Sequence, residues 1–130
     1  MRALVGTVDG VFEVDLEEEV VLGSAETHVE RSTLVVSLPL VVAAARSGST
    51  MIAVVDRRPP LAVSNDAGRT WRESGGGLPA GRAVAIAEED PDYVLYAARN
   101  RLYLSTDGGR FWRTLAPELP EIEAVELREA

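Results

Sequence analysis

Two close pairs of arginines are the residues best suited to chemistry in this chain: Arg57 and Arg58 in "DRRPP", Arg99 and Arg101 in "ARNR". A guanidinium presents a planar fork of N–H donors that matches a carboxylate, so such pairs suit an anionic ligand. The single histidine, His28, lies with Arg31 in "GSAETHVERS" and is a further candidate. Two aspartates, Asp66 and Asp107, occupy matching positions in "SNDAGRTW" and "STDGGRFW", where a metal or catalytic pair is conceivable. Tyr93, Tyr96 and Tyr103 are nucleophile candidates, yet each falls in a segment that reads as a strand, where a core role fits better. "SGGGLPAG" (Ser74–Gly81) has a glycine run, but it precedes a strand and lacks the lysine of a phosphate loop.

Composition narrows the possibilities. The 130 residues fit one domain, and 21 acids against 13 bases give a net charge of −8. That balance argues against a nucleic-acid partner, which requires a basic face. There is no cysteine, so disulfides and thiolate metal sites are excluded, and one histidine makes a histidine-rich metal centre untenable within one chain. We expect no metal and no cofactor. The longest apolar stretch, "TLVVSLPLVVAAA", is too short to span a bilayer and contains Pro39. The start, "MRALVGTVDG", turns polar too soon for a signal peptide. A cytoplasmic location without membrane association is the expectation.

The elements that position these residues come from a repeat. Ser105 lies 41 residues after Ser64, and "STMIAVVDRRPPLAVSNDAGRTW" overlies "DPDYVLYAARNRLYLSTDGGRFW" at that offset without a gap. "VVAAA", "RAVAI" and "EAVEL" superpose by the same step. "ALVGTVDGVF" matches "VLYAARNRLY" at an offset of 91, which is two periods plus nine residues, and places an insertion near Gly23–Ser32. Three units result, each of four short segments rich in Val, Ile, Leu and Tyr and punctuated by Gly, Pro, Asn and Asp. In the third unit the expected strands are Ala83–Ala87, Tyr93–Ala98, Leu102–Ser105 and Phe111–Leu115. A period near 40 residues with four strands is the mark of a β-propeller blade.

Within the repeated phrase the chain reverses between third and fourth strands. Gly109 supplies the positive φ of a tight turn, Asp107 accepts backbone N–H groups, Ser105 adds a hydroxyl and Trp112 covers the hairpin. Ser64, Asp66, Gly68 and Trp71 take the same parts in the second unit. This resembles the Asp-box, or BNR, repeat of sialidases, sortilin-type receptors and photosystem assembly factors. The resemblance implies that the box is a structural turn at the blade periphery, away from any active centre. Phe111 stands where the usual box has Thr, and the first unit has "VDLEEEVV" in place of a box, so its turn is built another way.

The expected fold is therefore all-β: blades of four antiparallel strands forming one domain over residues 1–130. Blade 1 covers about 2–22, blade 2 about 40–75 and blade 3 about 82–116. Three blades cannot enclose an axis and leave two apolar flanks open, which favours two chains in a six-bladed ring. Since the chain starts on a second strand and stops after a first, residues 122–128 should complete blade 1 of the partner, Ile122–Leu127 beside Leu4–Thr7. The clean start at Met1 and this strand accounting favour an intact chain over a fragment.

In such a ring the loops holding Arg57, Arg58, Arg99, Arg101 and His28 share one face. The box turns with Glu88, Glu89 and Asp90 lie on the other. The expected function is a non-catalytic interaction scaffold acting as a homodimer, its ligand an unknown protein, anion or carbohydrate on the arginine face. The duller alternative is surface arginines bonded to neighbouring acids. A second alternative is a sialidase-like glycoside hydrolase, which needs an arginine cluster, a tyrosine nucleophile with a glutamate partner and a proton donor. The Arg-Ile-Pro motif that precedes the boxes of that family is absent.

Overall fold

A chain that alternates β-branched residues with glycine and proline has few routes to a core other than stacked sheets, and among the described residues strands build this one. The computed structural model describes residues 1–31 and 34–129. The first meander is β1 (Arg2–Thr7), β2 (Gly10–Asp15) and β3 (Val20–Ala25). The second is β4 (Val41–Ser47), β5 (Thr50–Val55), β6 (Leu61–Ser64) and β7 (Arg72–Ser74). The third is β8 (Ala83–Ala87), β9 (Asp90–Ala98), β10 (Arg101–Ser105) and β11 (Arg113–Glu118). The last strand, β12 (Ile122–Arg128), returns to the first meander, giving three antiparallel four-stranded sheets: β12-β1-β2-β3, β4-β5-β6-β7 and β8-β9-β10-β11.

Sheet position shows in the apolar runs. Ala3–Thr7 in β1, Met51–Val55 in β5 and Val94–Ala98 in β9 are buried at every residue. Alternation is lost there because both faces of these second strands are covered. The β8–β11 sheet lies in the middle. Its Leu95, Leu102, Leu104 and Leu115 pack against Val5, Val14, Leu16 and Ile122 of the β12–β3 sheet. Its other face packs Val84, Val94 and Tyr96 against Ile52, Val54, Leu61 and Val63 of the β4–β7 sheet. The innermost strands β4, β8 and β12 stand side by side around an axis.

β12 pairs with β1 of its own chain, Ala3 opposite Leu127, Leu4 opposite Glu126, Val5 opposite Val125 and Gly6 opposite Ala124. The pairing expected of these two strands is seen here within one chain. The physical reason lies in the order of the sheets. The first meander does not precede the second around the axis; it sits on the far side of the third, where β12 arrives next to it.

This order obliges the chain to cross back from β3 to β4, and the crossing segment covers the two outer flanks. Val29 packs on Leu4 and Ala124, on the outer face of the first sheet. Leu34, Val36 and Leu38 pack on Ala44, Ala53 and Val55, on the outer face of the second. Between them Val35 points outward and is 90% exposed. Each inward-facing aliphatic side chain contributes about 1 kcal/mol by partial burial. One flank is thus covered by Val29, within the expected insertion, and the other by Leu34, Val36 and Leu38, which follow it. Ser32, at the end of the expected insertion, and Thr33 lie outside the described residues.

The two ends of the stack differ. One carries the β1–β2 turn, the 56–60 and 75–82 loops, the β9–β10 turn and the β11–β12 connection, knit by Val8 N to Glu121 O, Leu119 N to Asn100 O and Ile122 N to Arg99 O. The other carries the β2–β3, β4–β5, β6–β7, β8–β9 and β10–β11 turns, joined by Ala67 N to Ser49 O and Gly108 N to Asp92 O.

Candidate functional site

The matching turns at 64–71 and 105–112 illustrate how side chains replace backbone partners. Ser64 Oγ donates to Asp66 Oδ1 at 2.8 Å and accepts the N–H of Gly68 at 2.8 Å. Asp66 accepts the Thr70 N–H at 2.9 Å and the Thr70 hydroxyl at 2.6 Å. The Trp71 indole N–H reaches Gly68 O at 3.1 Å. In the second turn Ser105 Oγ donates to Asp107 Oδ1 at 2.8 Å, and Asp107 accepts the N–H groups of Arg110 and Phe111 at 3.1 and 3.0 Å. Gly68 and Gly109 hold φ of 89° and 88°, where a side chain is strained.

The hydrogen bonds stabilise the charged carboxylates. Thr70 above all brings Asp66 down from 3.8 to about 2, whereas Asp107 is lowered mainly by the Phe111 N–H. Phe111 has no hydroxyl to add and is 80% exposed. Both aspartates are thus occupied with their own turns. The second turn also reaches across sheets: Arg72 donates to Gly108 O at 2.7 Å, and Ser74 Oγ donates to Gly109 O. The first unit uses another device, Asp15 Oδ1 accepting the N–H groups of Glu17 and Glu18 at 3.0 and 2.9 Å.

The tyrosines are core members. Tyr96 is fully buried, donates to Pro79 O at 2.6 Å and meets Trp112 edge-on with ring centroids 6.0 Å apart. Burial holds its hydroxyl above the ordinary phenol range and pushes that of Tyr93 up to about 12. Neither is poised to ionise as a nucleophile.

The arginines divide. Arg101 is committed, donating to Leu115 O at 3.1 Å and pairing with Glu118 at 3.0 Å, so it fastens β11 to β10. Arg57, Arg58 and Arg99 are exposed and have no ion pair or side-chain hydrogen bond among the described residues. Arg58 borders a groove of about 480 Å³ with Pro59, Pro60, Gly77, Leu78 and Pro79, formed where the 56–60 and 75–82 loops meet. Proline and leucine give this groove an apolar lining beneath a cation.

His28 is not gathered with these arginines. It lies 3.7 Å from Glu30 and borders a separate central cavity of about 610 Å³ between the innermost strands and the crossing segment. Val84, Ile86, Val125 and Leu127 line the cavity, and Glu30, Arg46, Glu88 and Glu126 add charge. Strand ends and the crossing segment supply these charged groups. The superposition of "VVAAA", "RAVAI" and "EAVEL" already set three inner strands in register, so the polar residues interrupting and following them were readable as channel-edge residues. The crossing segment has no counterpart in the repeat and gave no such signal.

No protein-family model matches the chain, and no curated protein matches it. Among solved structures, one described as YCF48 bound to D1 peptide is similar with a TM-score of 0.53 at 18% identity, covering 93% of this chain and 39% of that one. The chain has the fold of part of a β-propeller. A GH74 enzyme of Niastella koreensis is similar at 20% identity with a TM-score of 0.49, covering 88% of this chain and 18% of that one. This propeller segment therefore spans about two fifths or less of the length of these neighbours. Among the described residues no helix is long and apolar enough to cross a membrane.

Proposed function

We propose that this chain is a non-catalytic propeller module of the Asp-box (BNR) type that binds an acidic, extended segment of a partner protein on the face bearing Arg57, Arg58 and Arg99. The observation that carries the reading is the groove of Arg58, Pro59, Pro60, Leu78 and Pro79, bordered by the Arg58 guanidinium, which has no ion pair among the described residues. In a chain of net charge −8, cations left unpaired on one face gain most from an anionic ligand. The adjoining apolar lining takes a hydrophobic side chain of the same segment. The structural neighbour bound to a peptide supports a peptide over a small substrate. The serine–aspartate turns support the Asp-box assignment, since both aspartates serve their own backbone.

The reading favours binding over glycoside hydrolysis because Tyr93 and Tyr96 are held in the protonated form and Arg101 is engaged with Glu118. Fluorescence anisotropy at low salt with a labelled acidic, leucine-containing peptide tests it, with a sialylated glycan as the second probe. Saturable peptide binding that weakens at least tenfold in an Arg57→Ala/Arg58→Ala double variant supports the reading. Binding of the glycan alone, or peptide binding indifferent to the double substitution, overturns it.

A further inference from the structure

The central cavity lies between the innermost strands and the crossing segment and is built from residues other than those of the Arg58 groove. Its lining is aliphatic, from Val84 and Ile86 on β8 and Val125 and Leu127 on β12. Its charged edge has three carboxylates, Glu30, Glu88 and Glu126, against one guanidinium, Arg46. Arg46 is engaged, its Nε–H donating to Gly48 O at 2.7 Å. Glu30 lies 3.7 Å from His28, and Glu126 meets Arg128 at 3.6 Å across exposed side chains, pairings worth little in water. Glu88 has no ion pair among the described residues.

The arrangement selects against several ligands. An anion would meet three carboxylates. A bare metal ion needs ligands converging on one point, and among the described residues no group of three acids or histidines comes close enough to hold one. A purely apolar molecule would strip water from the charged edge without compensation. What remains is a molecule with an aliphatic body and a positively charged head. The body covers Ile86 and Leu127 while the head stays near the carboxylates, partly hydrated.

We infer that this cavity is a binding site for small organic cations of the alkylammonium class, distinct from the peptide groove and independent of it. The negative field of the chain concentrates such cations at the mouth, and the aliphatic lining discriminates among them by chain length. Glu88 and Glu126 are the principal counter-charges, with Glu30 on the crossing segment as the third.

The test is a titration of the isotopically labelled protein, followed by amide chemical shifts, with methylammonium and hexylammonium chloride at matched ionic strength. Hexylammonium should bind saturably, at least tenfold tighter than methylammonium, with shifts centred on Val84–Glu88 and Val125–Leu127. A Glu88→Gln/Glu126→Gln variant, altered only at exposed positions, should weaken hexylammonium at least fivefold and leave the folded spectrum intact. Arg57→Ala/Arg58→Ala should leave it unchanged, which separates this site from the proposed peptide face. Equal affinity for the two cations, shifts elsewhere, or indifference to the glutamine pair would overturn the inference.

Discussion

Gly81 lies so close over the ring of Tyr96 that a Cβ at position 81 would fall 2.2 Å from the Tyr96 ring edge and hydroxyl oxygen. The ring has nowhere to retreat, because Tyr103 and Trp112 flank it with centroids 6.0 Å away on each contact. The glycine is thus required by close packing between the 75–82 loop and β9, not by its backbone freedom.

Replacing Gly81 by Ala should cost at least about 2 kcal/mol, as overpacking does in a rigid core. Tyr96→Phe, which leaves Pro79 O without its donor, should cost about 1 kcal/mol. Urea unfolding of both variants measures the order. An alanine variant as stable as the parent would show that the ring is free to move.

The two serine–aspartate turns should titrate differently. Asp66 has its folded pKa lowered to about 2, so its contribution to stability is complete above the ordinary carboxylate range and disappears as pH falls through about 2. Thr70→Val should raise the Asp66 midpoint by removing its leading hydrogen bond, and Phe111→Thr should lower that of Asp107. Side-chain carboxyl chemical shifts followed from pH 6 to 1.5 provide the check, and identical midpoints in parent and variants would refute the role assigned to the hydroxyl.

The packing of Val29 on the first sheet and of Leu34, Val36 and Leu38 on the second makes the state of association a direct test of how well the flanks are covered. Light scattering should give the mass of one chain for the parent. Changing Leu34, Val36 and Leu38 together to Asp should uncover Ala44, Ala53 and Val55 and cost about 3 kcal/mol or provoke association. Val35→Asp, at an outward position of the same segment, should alter stability by less than about 0.5 kcal/mol. A parent at twice the chain mass would restore association as part of the design.

Among the arginines, Arg101→Ala should destabilise by about 1–2 kcal/mol because it releases Leu115 O and Glu118 together. Arg57→Ala should fall within about 0.5 kcal/mol of the parent. Thermal unfolding at one pH distinguishes the structural guanidinium from those free to meet a ligand.

The sheets were legible because each repeats the same strand-and-turn punctuation, and because Ser, Asp, Gly and Trp recur at a fixed spacing that one kind of turn explains. The pairing of Ile122–Leu127 with the first strand was legible as well, down to its partners. The order of the sheets around the axis was not, since strand pairing is local while that order depends on where the β3–β4 connection runs. That connection is non-repeating, and its alternation at Leu34, Val36 and Leu38 becomes meaningful only once the face beneath it is known. The arginines' loops were readable from strand counting, but not that Arg101 is fastened to β11 or that His28 stands apart, because these depend on side-chain reach.

The closure of β12 beside β1 also dictates a timetable. The first meander leaves the ribosome before the other two sheets yet keeps an open inner edge until β12 has been synthesised. The second and third sheets can settle while the first waits, so β12 latches a sheet whose other strands are made well before it, and a chain halted between β11 and β12 has that sheet unlatched.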